Sequence, residues 1–164
     1  MWRKVGDRGD HEGDRPRAQA MFIGTYEHTI DEKSRLTLPR RFRDAFAAGV
    51  VLTRGLDRNV AVYPRETWKV SVEDRISALD PLSREARELR TFFFSGAAEA
   101  DLDSQGRILV PAVLTRHAGL DHDVVVAGNY DHLQLWSPAA WEQHLHAVEG
   151  SAEHAAERLA ARGI

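Results

Sequence analysis

The sequence predicts an α+β fold that is mainly β: one barrel assembled from two copies of a short strand-rich unit, with helices on the outside. Three observations predict it. The stretch Asp31-Glu32-Lys33-Ser34-Arg35-Leu36-Thr37-Leu38-Pro39 returns as Asp103-Ser104-Gln105-Gly106-Arg107-Ile108-Leu109-Val110-Pro111, with the Asp, Arg and Pro in matching places. A repeat of this kind decides how the rest of the chain is parsed. Both stretches lead into the same succession of a Pro-headed helix, an apolar strand, a turn and a return strand, closed by Pro64 ahead of Trp68 or Pro138 ahead of Trp141. Each copy alone is also too small for an independent core. The two are therefore expected to pair about a pseudo-two-fold axis and cover each other's strand edges.

Residues 1–20 are polar, Gly- and Arg-rich and without periodicity, so they read as a disordered extension, with Met21 expected as the native start. Phe22 to Ile30 has the aromatic and β-branched content of a strand, with Gly24 as a candidate bulge. Asp31 to Ser34 reads as a turn, because an Asp carboxylate at a turn's first position accepts a bond from a backbone N–H two residues on. Arg35 to Leu38 resumes the strand. Pro39 suits the first turn of a helix over Arg40 to Ala48, with Phe42, Ala45 and Phe46 on one face and Gly49 as its cap. Val50 to Thr53 and Asn59 to Tyr63 form a hairpin about Gly55 and Asp57. A helix from Pro64 carries Trp68, Val72, Ile76 and Leu79 at helical spacing, and Pro81 ends it. A second helix capped by Ser83 has Leu82, Ala86, Leu89 and Phe93 along one side.

The second copy repeats the order. Ser95 to Leu102 is expected as a strand, Asp103 to Gly106 as a turn and Arg107 to Val110 as a strand. A helix then runs from Pro111 to near Gly119. Val124 to Ala127 is a buried strand, Asn129 to Asp131 a turn, and His132 to Trp136 the return. Pro138 opens a last helix. The Ala-, Glu- and Arg-rich stretch from Glu149 to Ile164 either continues it as a frayed helix or is disordered.

Composition narrows the chemistry. The 164 residues contain no Cys, which removes disulfides, thiolate nucleophiles and Cys-ligated zinc and suits a cytoplasmic protein. No apolar run is long enough to span a bilayer, so no membrane partner is expected. No apolar secretory segment is visible near the start. His144 and His146 are two apart on an expected helix and face different sides, so no metal or other cofactor is expected. Phosphate-loop, nucleophile-elbow and zinc-protease motifs are missing, and no small-molecule substrate or enzymatic activity is indicated. The Phe92-Phe93-Phe94 run has the chemistry to stack bases, but its place at the junction of helix and strand reads as core, and Trp68, Trp136 and Trp141 read as core or subunit-interface anchors.

The net charge of −3 means that any nucleic-acid contact must come from a local patch. One stands out: Lys33, Arg35, Arg40, Arg41 and Arg43 against Asp31 and Glu32. The matching part of the second copy has only Arg107 and Arg116 against Asp103. A two-stranded ribbon fits the major groove, and an Arg beside a turn tip can reach guanine O6 and N7 with two bonds. Lys33, Arg40, Arg41 and Arg43 would suit phosphates, which supply affinity and salt dependence. The alternative is structural: Asp31 and Asp103 shape their turns, Arg35 and Arg107 pair with them, and the helical arginines line a solvated face. Both can hold at once.

The segments MFIGTYEHTIDEKSRLTLPRRFR, RTFFFSGAAEADLDSQGRILVPAVL and LQLWSPAAW resemble the MraZ family of bacterial transcriptional regulators, within the SpoVT/AbrB-like group. The resemblance implies a swapped-hairpin or double-split β-barrel. It implies SpoVT-AbrB domains over residues 25–67 and 97–140, a helical linker over 68–96, and a C-terminal helix and tail over 141–164. It further implies a ring-shaped homo-oligomer that binds double-stranded DNA at G-rich direct repeats in the promoter of its own division and cell wall operon. Repression of that operon, in the cytoplasm and nucleoid, follows from the same likeness. By position, Arg35 is the first DNA-contact candidate and Arg107 the second, with Lys33 at a basic position that Gln105 leaves uncharged. Ser34 stands where Gly is usual, which makes a positive φ there costly. A different class remains open, an AbrB-like protein-interaction module of antitoxin type. It would use a disordered tail over residues 149–164 to wrap its partner.

Overall fold

The computed structural model describes residues 21–164, so the expected disorder of the first twenty residues lies outside the described part. The strands are β1 (Thr25–Thr29), β2 (Arg35–Thr37), β3 (Val50–Arg54), β4 (Val60–Pro64), β5 (Ala98–Ala100), β6 (Arg107–Leu109), β7 (Asp123–Gly128) and β8 (Leu133–Trp136). They form a six-stranded sheet in the order β1-β7-β8-β4-β3-β5 and a two-stranded ribbon of β2 and β6. All pairings are antiparallel.

The strand order encodes the repeat. Exchange β1 to β4 for β5 to β8, and the sheet reads the same from its other end. First-copy strands seek second-copy partners throughout: β1 lies on β7, β5 on β3, β4 on β8, and β2 on β6. Within a copy the named strands pair as the tight hairpins β3–β4 and β7–β8, with a single bridge from Ile30 to Leu36 besides. Neither copy is a separable unit, as the thin core of each one requires.

The main core draws on both copies. Leu36, Leu38, Phe42, Val50, Leu52, Val60 and Val62 meet Ile108, Val110, Leu114, Val124, Val126, Leu133 and Leu135, all buried. The other face of the sheet carries the alternate residues. Val51, Ala61 and Tyr63 pack under Trp68 and Val72, while Val125, Ala127 and Trp136 pack under Ala140 and Trp141. The two Pro-headed helices thus cover equivalent halves of that face. Trp68 and Trp136 are buried, and Trp141 stacks edge-on to Trp136.

The helical segments are α1 (Arg65–Trp68) and α2 (Asp74–Ser77), joined by a π-helical turn over Lys69–Glu73, then α3 (Arg84–Ser95), α4 (Ala112–Ala118) and α5 (Pro138–Ala161). Several expectations need correction. The helix expected after Pro39 is a 3-10 helix, Arg40–Phe46, which still buries Phe42 and Phe46. Leu82 is 86% exposed, because it precedes the Ser83 cap and lies in the turn rather than on the helix. Ser95 ends α3 instead of starting a strand, and β5 is confined to Ala98–Ala100. The aromatic run holds the helix there. Phe93 and Phe94 pack into the Trp68 cluster, and the chain cannot turn into β5 until Gly96. At the C-terminus, α5 continues as one helix through Ala161, in keeping with the helix propensity of its Ala, Glu and Arg residues.

Candidate nucleic-acid interface

The repeated tips are hairpin turns of one design. In the first, Asp31 accepts a backbone bond from Ser34 (3.0 Å) and donates one to the carbonyl of Arg35 (3.0 Å). This is a type I turn followed by a residue at positive φ, the three-residue loop with a bulge. Ser34 takes that residue's place at φ 59°. The second tip copies each bond: Gly106 to the Asp103 carbonyl at 3.0 Å, Asp103 to the Arg107 carbonyl at 3.0 Å, and Gly106 at φ 74°. Ser34 therefore adopts the positive-φ conformation that Gly106 takes in the second tip.

The aspartates hold both the loop and the arginine. Asp31 Oδ1 accepts from the backbone amides of Lys33 (2.9 Å) and Arg35 (3.0 Å), and Oδ2 accepts from Arg35 Nε (2.8 Å). Asp103 does the same with Gln105 (2.9 Å), Arg107 N (3.0 Å) and Arg107 Nε (2.7 Å). Both carboxyls are held below the ordinary aspartate value. The arginine amide bond is the largest cause, helped by the guanidinium and the second amide against a smaller desolvation effect. Each guanidinium is anchored through Nε, which leaves its two Nη groups outside that bond. Among the described residues those groups take no other hydrogen bond. The side chains of Arg35 and Arg107 remain 31% and 24% exposed. Aspartate as turn-former and arginine as surface donor thus coexist in one arrangement.

Register places the tips at opposite ends of the ribbon. Arg35 faces Leu109, Leu36 faces Ile108, and Thr37 faces Arg107. Leu36 and Ile108 point into the core, so Arg35, Thr37, Arg107 and Leu109 share the outer face. Val110 N donates to Ser34 O (2.8 Å) and Leu38 N to Gly106 O (2.9 Å), tying each tip to the other copy's strand. Lys33 is exposed at the first tip, and Gln105 at the second. Arg40 and Arg41 are exposed on the 3-10 helix, with Arg41 donating to the Tyr26 hydroxyl (2.8 Å) and lying over the Phe42 ring.

Arg43 does something that the sequence concealed. It donates to the Leu38 carbonyl (3.1 Å), and its side chain lies directly over the second tip: a Cβ on Gly106 would stand 2.3 Å from Arg43 Nε. His28 senses it too, with a pKa lowered first by burial and then by the Arg43 charge. Counting charges copy by copy made the second tip nearly neutral. Strand exchange carries a first-copy cation onto it, so the two tips differ less than the linear count implies. The signal available in the sequence was Gly106 itself, where the first copy has Ser34.

Elsewhere polar groups are satisfied internally. Ser71 donates to Asp131 (2.9 Å), Asp131 bonds His132 Nδ1 (2.6 Å), and His132 stacks on Tyr63. Burial, then Asp131, pushes the Tyr63 hydroxyl up to about 12. His144 stacks on Trp136. Among the described residues no group of three or more His, Asp or Glu is placed to hold a metal, and no helix is long and apolar enough to cross a membrane.

Comparison with known proteins shows the family and the repeat. A family model described as "MraZ protein, putative antitoxin-like" matches twice, over residues 21–89 and 93–163. A Roseiflexus castenholzii protein named transcriptional regulator MraZ is 46% identical over 140 residues, 85% of this chain and 97% of its own length. Proteins of the same name from Desulfitobacterium hafniense and Herpetosiphon aurantiacus are 46% and 42% identical over 144 residues, 88% of this chain and 100% of each relative.

Proposed function

This chain belongs to the MraZ family of transcriptional regulators, and we propose that it binds double-stranded DNA through the outer face of the β2–β6 ribbon. The observation that carries this reading is the identical bracing of Arg35 and Arg107. Each is fixed at Nε by an aspartate and free at its outer edge, beside a turn tip on one exposed face. A guanidinium held in this way loses little freedom when it meets a guanine edge. Lys33, Arg40 and Arg41 are assigned to phosphates, and Asp31 and Asp103 to shaping and aiming.

We read the architecture as the swapped-hairpin, double-split barrel of the SpoVT-AbrB group, with domains over 25–67 and 97–140, a helical linker over 68–96, and the C-terminal helix and tail over 141–164. The single core beneath both sheet and ribbon supports it. Within this reading the chain assembles as a ring-shaped homo-oligomer on G-rich direct repeats. It represses its own division and cell wall operon, in the cytoplasm and nucleoid. Several subunits on successive repeats would raise affinity through effective concentration, which an acidic chain with few base-reading groups needs. The antitoxin-type alternative expects a disordered C-terminal tail, whereas Pro138–Ala161 is one continuous helix.

The test is a binding titration of the full chain against the DNA upstream of its gene, at two salt concentrations, for wild type, Arg35→Ala, Arg107→Ala and Lys33→Ala. Loss of sequence preference is expected for the two arginine variants. Lys33→Ala should weaken all sequences alike and lower the salt slope by about one. Arginine variants that bind like wild type would refute the assignment.

A further inference from the structure

Leu109 is out of place as a structural residue. It is 55% exposed, between Ile108 at 1% and Val110 at 0%. Among the described residues, the other exposed large apolar side chains lie outside the named strands. Leu109 is the one that stands within a strand. It shares the ribbon's outer face with both arginines and sits directly opposite Arg35. The Val110–Ser34 hydrogen bond (2.8 Å) pins it beside the first tip. The core beneath is already filled by Leu36 and Ile108, so the fold draws little from its side chain.

We propose that Leu109 is a specificity-determining residue that packs against the C5-methyl group of a thymine next to the guanine read by Arg35. This rests on the DNA-binding reading of the ribbon. In the major groove thymine is the base that offers a methyl group, and apolar side chains recognise it. Directly opposed residues on antiparallel strands have Cβ atoms about 4.5–5.5 Å apart, and base pairs rise about 3.4 Å per step, so the thymine lies within one or two pairs of the guanine. The first-copy counterpart, Thr37, faces Arg107 with a single methyl and is half-buried. The Arg107 rung therefore discriminates thymine less.

The experiment uses the full chain and the shortest duplex from upstream of its gene that it retains. Each thymine is replaced in turn by 2′-deoxyuridine, which removes only the methyl group. Wild type should lose about fourfold in affinity at one position, the value of one buried methyl. Leu109→Ala should bind the unmodified duplex less well and show no further loss at that position. The inference is overturned if no replacement costs wild type more than twofold. It is equally overturned if the penalty survives in Leu109→Ala, or if that variant changes only the assembly mass in sedimentation. Arg35→Ala and Arg107→Ala on the same duplex separate the two levels. If they bind like wild type, the ribbon reading fails and takes this inference with it. If they lose sequence preference while deoxyuridine is silent, the role of Leu109 alone is wrong.

Discussion

Gly106→Ser should unfold more easily by about 2–3 kcal/mol, although the same residue type stands at the equivalent tip as Ser34. Two contributions make up the figure. A side chain at positive φ costs about 1 kcal/mol relative to glycine, and Gly106 sits at φ 74°. The new Cβ would also lie 2.3 Å from Nε and 2.6 Å from Cδ of Arg43. These are atoms of a flexible side chain, so Arg43 swings away and the backbone stays. Its departure breaks the 3.1 Å bond to the Leu38 carbonyl. A charged hydrogen bond is worth about 1.5–3 kcal/mol, toward the low end for a half-buried partner. At about 2–4 °C per kcal/mol for a chain of this size, the melting temperature should fall by about 5–10 °C. Ser34→Gly should do the opposite, by up to about 1 kcal/mol, since it relieves positive φ with no arginine to displace. Urea unfolding at fixed protein concentration reads both. The double variant Gly106→Ser with Arg43→Ala isolates the contact, and a coupling of about 1 kcal/mol or more is expected. If Gly106→Ser costs as much without Arg43 as with it, the cross-copy contact is not what reserves this position for glycine.

Three further outcomes follow from the geometry. The Asp31 and Asp103 carboxyls should titrate below 3.8. Their stabilisation of the tips is present above that value and lost as pH falls through the lowered one, and a carbon-13 NMR titration with midpoints at or above 3.8 would reject the bond set. Leu36→Ala, at a fully buried position beneath the ribbon, should cost about 2–5 kcal/mol in denaturant. Leu109→Ala on the opposite face should stay within about 0.5 kcal/mol of wild type. A chain ending at residue 148 should melt within about 2 °C of the full chain at equal concentration, since α5 packs on the sheet through Ala140 and Trp141 and has no buried residue further on.

What could be read from the residues was whatever is local. The Asp-to-Arg spacing, with proline behind it, contained the turn, and alternation within Arg107-Ile108-Leu109 contained the inward and outward faces. Pro64 and Pro138 marked where two helices begin. What could not be read depended on partners distant in sequence. Ser95 looked like the start of a strand because its helical fate is set by Phe93 and Phe94 reaching the Trp68 cluster. Arg43 looked like one more cation in a basic run, because only the exchange of strands shows that it crosses to Gly106. Leu82 fitted a helical spacing, yet the Ser83 cap placed it outside the helix. Charge counted along a linear copy misleads wherever the copies trade strands.

The exchanged strands also set a timetable for synthesis. β1 pairs along its length with β7, and β2 with β6, so neither is complete until the second copy exists. Roughly 100 residues separate β1 from β7, and at about 5–20 residues per second the first strand waits on the order of 5–20 seconds on the ribosome for its neighbour. During that wait the β3–β4 hairpin can close, because its contacts are local. β1 stays an unsatisfied edge, open to pairing with the wrong chain. A nascent chain stopped before Arg107 has Arg35 but no strand to set beside it. The arginine-bearing face thus comes into being late and all at once, and an interrupted chain lacks it altogether.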